Sequence, residues 1–282
     1  MNAITVTPHL DAHAARRLSL LRDAWVIARR GLWRMRRHPE TLADAALQPI
    51  MLVLVFAFVF GGAIAAPGGG NYKEFLMAGI FAQTVVFGSS IGVAIGIATD
   101  RTNGAIDRFR SLPIARGALL TGHAIAHLLK ALLPMLLMTL CGLLIGWRIR
   151  GGIVDTATAY ALLMVFAFAI IWIGVLVGSL VAAPESVQGV ALVAMFPLTF
   201  IASVFVPAHT LPGVLRTFAE WNPVTTLAES LRALFGNPHN AATAADPWSL
   251  QHPIAYTLIA CAAIITVCAP LAIHRFQRSI DG

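Results

Sequence analysis

The sequence predicts an all-α polytopic membrane protein, and three observations carry that prediction. Six apolar runs each come near or above the ~20 residues that a helix needs to cross ~30 Å of hydrocarbon. Of the 282 residues 58% are hydrophobic and only 12% are charged, too little polar surface for a soluble globule of this size. The charges are gathered between the runs, which fall at about 46–66, 75–98, 120–146, 158–182, 187–206 and 253–273. The fold class expected is therefore six transmembrane helices, with an N-terminal amphipathic interfacial helix and an outer hairpin before the sixth span.

Residues 1–17 read as a disordered tail. Leu18, Leu21, Trp25, Ala28, Leu32 and Met35 then recur at spacings of three and four, one stripe of a helix, while arginines occupy most of the other positions. A helix over 18–38 is expected along the cytoplasmic headgroups, with Pro39 ending it. About forty-five basic, polar residues precede the first apolar run, so no cleavable signal is expected and that run reads as a retained anchor.

Between the second and third runs lies a charged island, Asp100 to Arg116. Unsatisfied charge and backbone in hydrocarbon cost several kcal/mol per group, so the island must face water. It reads as a short helix over 102–112: Thr102 or Asn103 caps it, Ile106, Phe109 and Leu112 share a face, and Pro113 stops it.

Small residues one turn apart mark several spans: Gly88, Gly92 and Gly96 in the second, Gly142 and Gly146 in the third, Gly174 and Gly178 in the fourth. Glycine at this spacing lets helix backbones approach, and packing within one chain is the expected use. In the third span His123, His127 and Lys130 share one face. The histidine pair lacks a third ligand, so no metal site is expected. Lys130 is expected to snorkel to the headgroups rather than line a path.

Residues 207–251 hold two short stripes, Leu211, Val214, Leu215, Phe218 and then Val224, Leu227, Leu231, Leu234, separated by Trp221, Asn222 and Pro223. Neither is long enough to span, which predicts an outer hairpin that dips into or lies on the leaflet. An exposed loop is expected over 236–247. After the sixth span, 274–282 is a short tail.

Basic residues fix the orientation. The N-terminal segment, the island and the tail hold fourteen; the opposite loops hold five, namely Lys73, Arg148, Arg150, Arg216 and Arg232. Both termini and the island are thus expected in the cytoplasm. Eighteen arginines against two lysines, with abundant alanine, match a GC-rich bacterial genome, and hence a bacterial cytoplasmic membrane. The net charge of +7 would suit nucleic acid, yet these residues cluster beside spans, where anionic headgroups attract each by about 1 kcal/mol. Membrane lipids, not nucleic acid, are the expected partner. Cys141, Cys261 and Cys268 all lie in apolar runs and imply neither disulfides nor metal.

No hydrolase elbow and no acidic pair within a span suggests catalysis. Neither lysine follows a glycine, so there is no phosphate-binding loop, and any ATP-driven work requires a second polypeptide. A secondary transporter or channel remains an alternative, as does a membrane scaffold that recruits a cytoplasmic partner.

Two groups of residues resemble a known family. Asp100-Arg101, Gly104, Asp107-Arg108-Phe109-Arg110 and Ser111-Leu112-Pro113-Ile114 follow the second span. Asn222-Pro223, Glu229 and Arg232 precede the last. In this order the chain resembles the membrane subunits of ABC-2 type transporters, especially the daunorubicin-resistance-type permeases of actinobacteria. The resemblance implies an exporter of a hydrophobic drug, lipid or lipid-linked compound, built from two permease copies, as a homodimer or with a sister chain. It also implies a separate ABC ATPase that binds ATP and Mg, with no cofactor on this chain. Gly104, Ile106, Asp107, Arg108, Phe109, Arg110, Leu112 and Pro113 would couple to that ATPase, and Asn222, Pro223, Glu229 and Arg232 would build the outer hairpin.

Overall fold

Apolar runs of spanning length form the helices that the periodicity requires, in a computed structural model describing residues 39–60, 71–102, 118–181, 183–238, 243 and 245–281. The predicted interfacial helix at 18–38 and island residues 103–117 lie outside the described residues. In chain order the helices are α1 (Pro39–Val55, continued by a π-helical turn Phe56–Phe60), α2 (Tyr72–Thr102), α3 (Ala118–Leu144) and α4 (Ile153–Leu180). Then come α5 (Pro184–Phe200), α6 (Gly213–Glu220), α7 (Pro223–Leu234), α8 (Trp248–Gln251) and α9 (Pro253–Asp281).

Among the described residues, four helical stretches are long and apolar enough to cross a membrane: Tyr72–Thr102, Leu120–Leu144, Ile153–Leu180 and Pro253–Arg275. Helices α1 and α5 carry the first and fifth apolar runs in shorter form. α2 and α4 form the centre of the bundle, flanked by α3, α5 and α9, and α1 packs on α3. Their chain directions alternate. One end of the bundle therefore gathers the start of α2, the α3–α4 connection and α6–α8; the other gathers the end of α2, the start of α3 and the end of α4. These are called below the hairpin end and the island end.

The fifth run departs from expectation. A helix to 206 is predicted, yet α5 stops at Phe200 and residues 201–206 are an irregular turn with Ala202, Ser203, Val204 and Phe205 buried. Pro197 inside the last turn lacks an N–H and crowds the preceding turn, and Pro207 follows. Thr102, offered above as a possible cap for the island helix, is instead the last residue of α2, its hydroxyl donating to the Thr99 carbonyl at 3.0 Å.

Glycines do different work along the bundle. A Cβ on Gly174 or Gly178 would overlap the backbone of Ser90 or Ala94, so α2 and α4 touch main chain to main chain, as the spacing predicts. A Cβ on Gly79 would likewise strike the Val204 backbone, which lets the irregular turn lie flat on α2. Gly92 and Gly96 face the rings of His127 and His123 rather than a helix backbone, and Gly88 faces nothing within 4 Å. Gly146 lies beyond the end of α3 with φ of 101°, so it serves a turn rather than helix contact.

The hairpin region forms as two unlike helices. Val214, Leu215 and Phe218 of α6 are exposed, Val214 at 87%. Val224, Leu227 and Leu231 of α7 are all buried. Within the predicted 236–247 loop, Asn237 is buried. Farther along it, the backbone N–H and the hydroxyl of Thr243 donate to Asp246 Oδ2 at 2.7 and 2.8 Å, which holds that carboxyl below its ordinary range.

Gly174→Ala is expected to destabilise the bundle by about 1–3 kcal/mol, because α2 must retreat from the added methyl. Gly88→Ala is expected to be neutral or stabilising by up to ~1 kcal/mol, since the helix gains propensity and nothing is displaced. Thermal unfolding of the detergent-solubilised variants, followed by fluorescence-detected size exclusion, compares the two.

Candidate functional site

Asn222, Pro223, Glu229 and Arg232, which the resemblance assigns to the outer hairpin, all lie on α7 or at its cap, at the hairpin end. Asn222 is the N-cap of α7: its Oδ1 accepts the Val224 N–H at 2.9 Å, and Pro223 takes the first helical position, where a missing N–H costs nothing. The Asn222 amide also reaches across to α5, Nδ2 donating to the Leu198 carbonyl at 2.6 Å. One cap residue thus starts α7 and satisfies a carbonyl of the last turn of α5.

Arg232 sits nearly three turns on and is 0% exposed. Each N–H of its guanidinium has a partner. Nε donates to the Phe75 carbonyl at 3.0 Å; Nη1 donates to Glu229 Oε1 at 2.8 Å and Ser203 Oγ at 3.2 Å. Nη2 donates to the carbonyls of Ser203 at 2.6 Å and Val204 at 3.3 Å. The plane also stacks on Phe75, with Cζ 3.5 Å from the ring centroid. A lysine at this position would offer three donors in place of a flat fork of five.

Glu229 supplies the counter-charge. Its Oε1 accepts both Arg232, at 2.8 Å, and the Ser203 hydroxyl, at 3.0 Å, while Oε2 is buried without a partner among the described residues. The Ser203 N–H donates to Thr225 Oγ1 at 3.0 Å, and the Tyr72 hydroxyl donates to the Phe205 carbonyl at 3.0 Å. Side chains of α7 and α2 therefore satisfy the main chain of the irregular turn, which has no helix of its own to do so.

Five further hydrogen bonds lock α7 in place. The Phe235 carbonyl accepts the N–H groups of Arg150 and Gly151 at 2.8 and 3.0 Å, an approach that only glycine permits at 151. Trp147 Nε1 donates to Asn237 Oδ1 at 2.7 Å, and the Asn237 amide donates to the Arg148 carbonyl at 2.9 Å. Thr226 and Thr257 hydroxyls meet at 2.9 Å, tying α7 to α9. Nearby, Arg150 pairs with the buried Glu74 at 2.8 Å.

One sequence expectation changes here. Arg232, counted above among the basic residues of the opposite loops, is wholly buried and carries no information on orientation. Glu74 and Glu229, outside the predicted spans, are buried as well. Lys130 is partly buried on α3, three residues after His127. Phe75, Ser203, Thr225 and Asn237 were not singled out from sequence. For Ser203 the available signal was a lone serine in an apolar run between Pro197 and Pro207.

At the island end, Asp100 Oδ2 lies 2.9 Å from His123 Nε2, and Arg101 Nη1 donates to the Ser179 carbonyl at 2.9 Å. Gly104, Ile106, Asp107, Arg108, Phe109, Arg110, Leu112 and Pro113 lie outside the described residues. No group of three or more metal-ligating side chains occurs among the described residues.

Among the described residues, an all-helical bundle with four helices long and apolar enough to cross a membrane defines a multi-pass membrane protein. Residues 22–235 match the ABC-2 type transporter family, and the chain belongs to it. It is 30% identical over 251 residues to a daunorubicin resistance ABC transporter permease protein of Streptomyces coeruleorubidus, covering 88% of this chain and 84% of that one. It is 26% identical over 246 residues to a Mycobacterium tuberculosis protein named as a doxorubicin resistance ABC transporter permease, covering 86% and 84%.

Arg232→Leu is expected to cost at least about 3–5 kcal/mol, since it strands the Glu229 carboxylate in a buried site. It also leaves carbonyls of Phe75, Ser203 and Val204 unpaired, at about 1–3 kcal/mol for each buried group. Glu229→Gln keeps an oxygen for both donors and is expected to lose less. The yield of monodisperse protein and its melting temperature in detergent rank the two; equal losses would sink this account of the node.

Proposed function

We propose that this chain is the transmembrane permease subunit of an ATP-driven ABC exporter that moves a hydrophobic drug, lipid or lipid-linked compound out of the cytoplasm or inner leaflet. Family membership and the two drug-resistance relatives support the class of cargo. The sequence itself lacks a phosphate-binding loop, so ATP and Mg are assigned to a separate ATPase subunit.

In this reading α1 and α5 complete six spans with the four long helices, and two permease copies form the working unit in the bacterial cytoplasmic membrane. Both termini and the island face the cytoplasm, and α6–α7 form the outer hairpin. The exposed apolar face of α6, with the half-exposed Trp221 and Trp248 beside it, suits the headgroup layer, where amphipathic rings sit. Lys130 snorkels toward the opposite headgroups.

The observation that carries the reading is where the island is rooted. α2, which precedes it, ends and α3, which follows it, begins at the same end of the bundle, joined there by Asp100 and His123. A helix over 102–112 held on that root has Ile106, Phe109 and Leu112 available to fill a groove on the ATPase, with Asp107, Arg108 and Arg110 orienting it by charge. ATP binding closes the ATPase pair, and the spans follow because ATP has different affinity for the two states of the complex.

Phe109→Ala and Asp107→Arg are expected to abolish co-purification of the ATPase and, with it, drug- or lipid-stimulated hydrolysis in proteoliposomes. Retention of both would show that the island is not the docking element.

A further inference from the structure

Asp100 and Arg101 are consecutive near the end of α2, so their side chains leave the helix about 100° apart and reach different neighbours. Asp100 Oδ2 meets His123 Nε2 of α3 at 2.9 Å, both side chains being largely shielded. Arg101 Nη1 donates to the Ser179 carbonyl of α4 at 2.9 Å. That carbonyl lies in the last turn of α4, where helical partners run out and the negative end of the dipole favours a cation. Two adjacent residues thus tie one helix end to two others.

The seams behind these ties differ. Along α2 and α4 the Gly174 and Gly178 contacts are backbone to backbone, leaving no slack. Along α2 and α3 the same depth is filled by imidazoles: Gly92 and Gly96 would place a Cβ 3.4 and 3.5 Å from the His127 ring, and a Cβ on Gly96 would be 3.9 Å from His123 Nδ1. The rings occupy the space that the absent side chains leave. Below Asp100 the α2–α3 seam is therefore a layer of side chains, and Asp100–His123 links the two helices directly at the root of the island.

We propose that Asp100–His123 and Arg101–Ser179 form a two-armed strut that makes the end of α2, the start of α3 and the end of α4 move as one body. The strut lets a push on the island reach three spans together. Asp100, His123 and Arg101 are positioning residues: they touch neither nucleotide nor cargo. The proposal rests on the island being the ATPase-docking element.

The test uses the full-length permease with its ATPase in nanodiscs, with Cys141, Cys261 and Cys268 replaced by alanine and nitroxides placed at positions 102 and 125. Pulsed electron resonance is expected to give a single narrow α2–α3 distance that is the same without nucleotide and after trapping with ATP and vanadate. Asp100→Asn and His123→Gln are each expected to lose the narrow distribution on trapping while the ATPase still co-purifies. The charge-swapped pair, Asp100→His with His123→Asp, restores it. A distance that changes on trapping in the parent protein overturns the strut, as do single variants that stay narrow or a swap that fails to restore. Co-purification is scored separately with Phe109→Ala: an ATPase that stays bound there sinks the docking reading, whatever the distances report.

Discussion

The structure depends on one buried cation. Arg232 lies where α5 has ended and residues 201–206 form an irregular turn between apolar helices. Irregular main chain in such surroundings is tolerable only if every polar group finds a partner in the protein. A single guanidinium supplies four bonds to the Phe75, Ser203 and Val204 carbonyls and the Ser203 hydroxyl, and a fifth to Glu229. The start of α2, the end of α5 and the whole of α7 meet at that group. Glu229 keeps the charge paired, and Asn222 and Tyr72 satisfy the carbonyls on either side.

The two ends of the bundle are built on opposite principles. At the hairpin end, polar bonds converge on α7 and are buried, so changing one strands several others. At the island end, the links described reach outward from the consecutive residues Asp100 and Arg101 to a partly shielded histidine and a helix-end carbonyl. The proposed coupling role belongs to the second kind of construction: force has to enter there, and the tight α2–α4 seam carries it inward.

Several site residues were legible because their chemistry is local. Asn222 followed by Pro223 is a capping signal wherever it occurs, and Glu229 and Arg232 share a face at a spacing of three. What they hold was not legible. Ser203 and Phe75 are separated from Arg232 by 29 and 157 positions, and nothing in a serine or a phenylalanine announces that its carbonyl will be needed. The glycine stripes show the same limit. Gly174 and Gly178 seat a backbone, whereas Gly92 and Gly96 make room for imidazoles, and the sequence spacing is identical.

The sequence by itself determined the class of molecule, because hydropathy, charge placement and helix length respond to the membrane directly and need no knowledge of neighbours. It likewise determined which segments break the pattern: the island and the paired short helices. Only the tertiary structure decided that α5 stops short, that Arg232 is a keystone rather than a headgroup contact, and that Asp100 and Arg101 grip two different helices. Those outcomes turn on which groups are left unsatisfied once the helices pack, and that is a property of the assembled bundle.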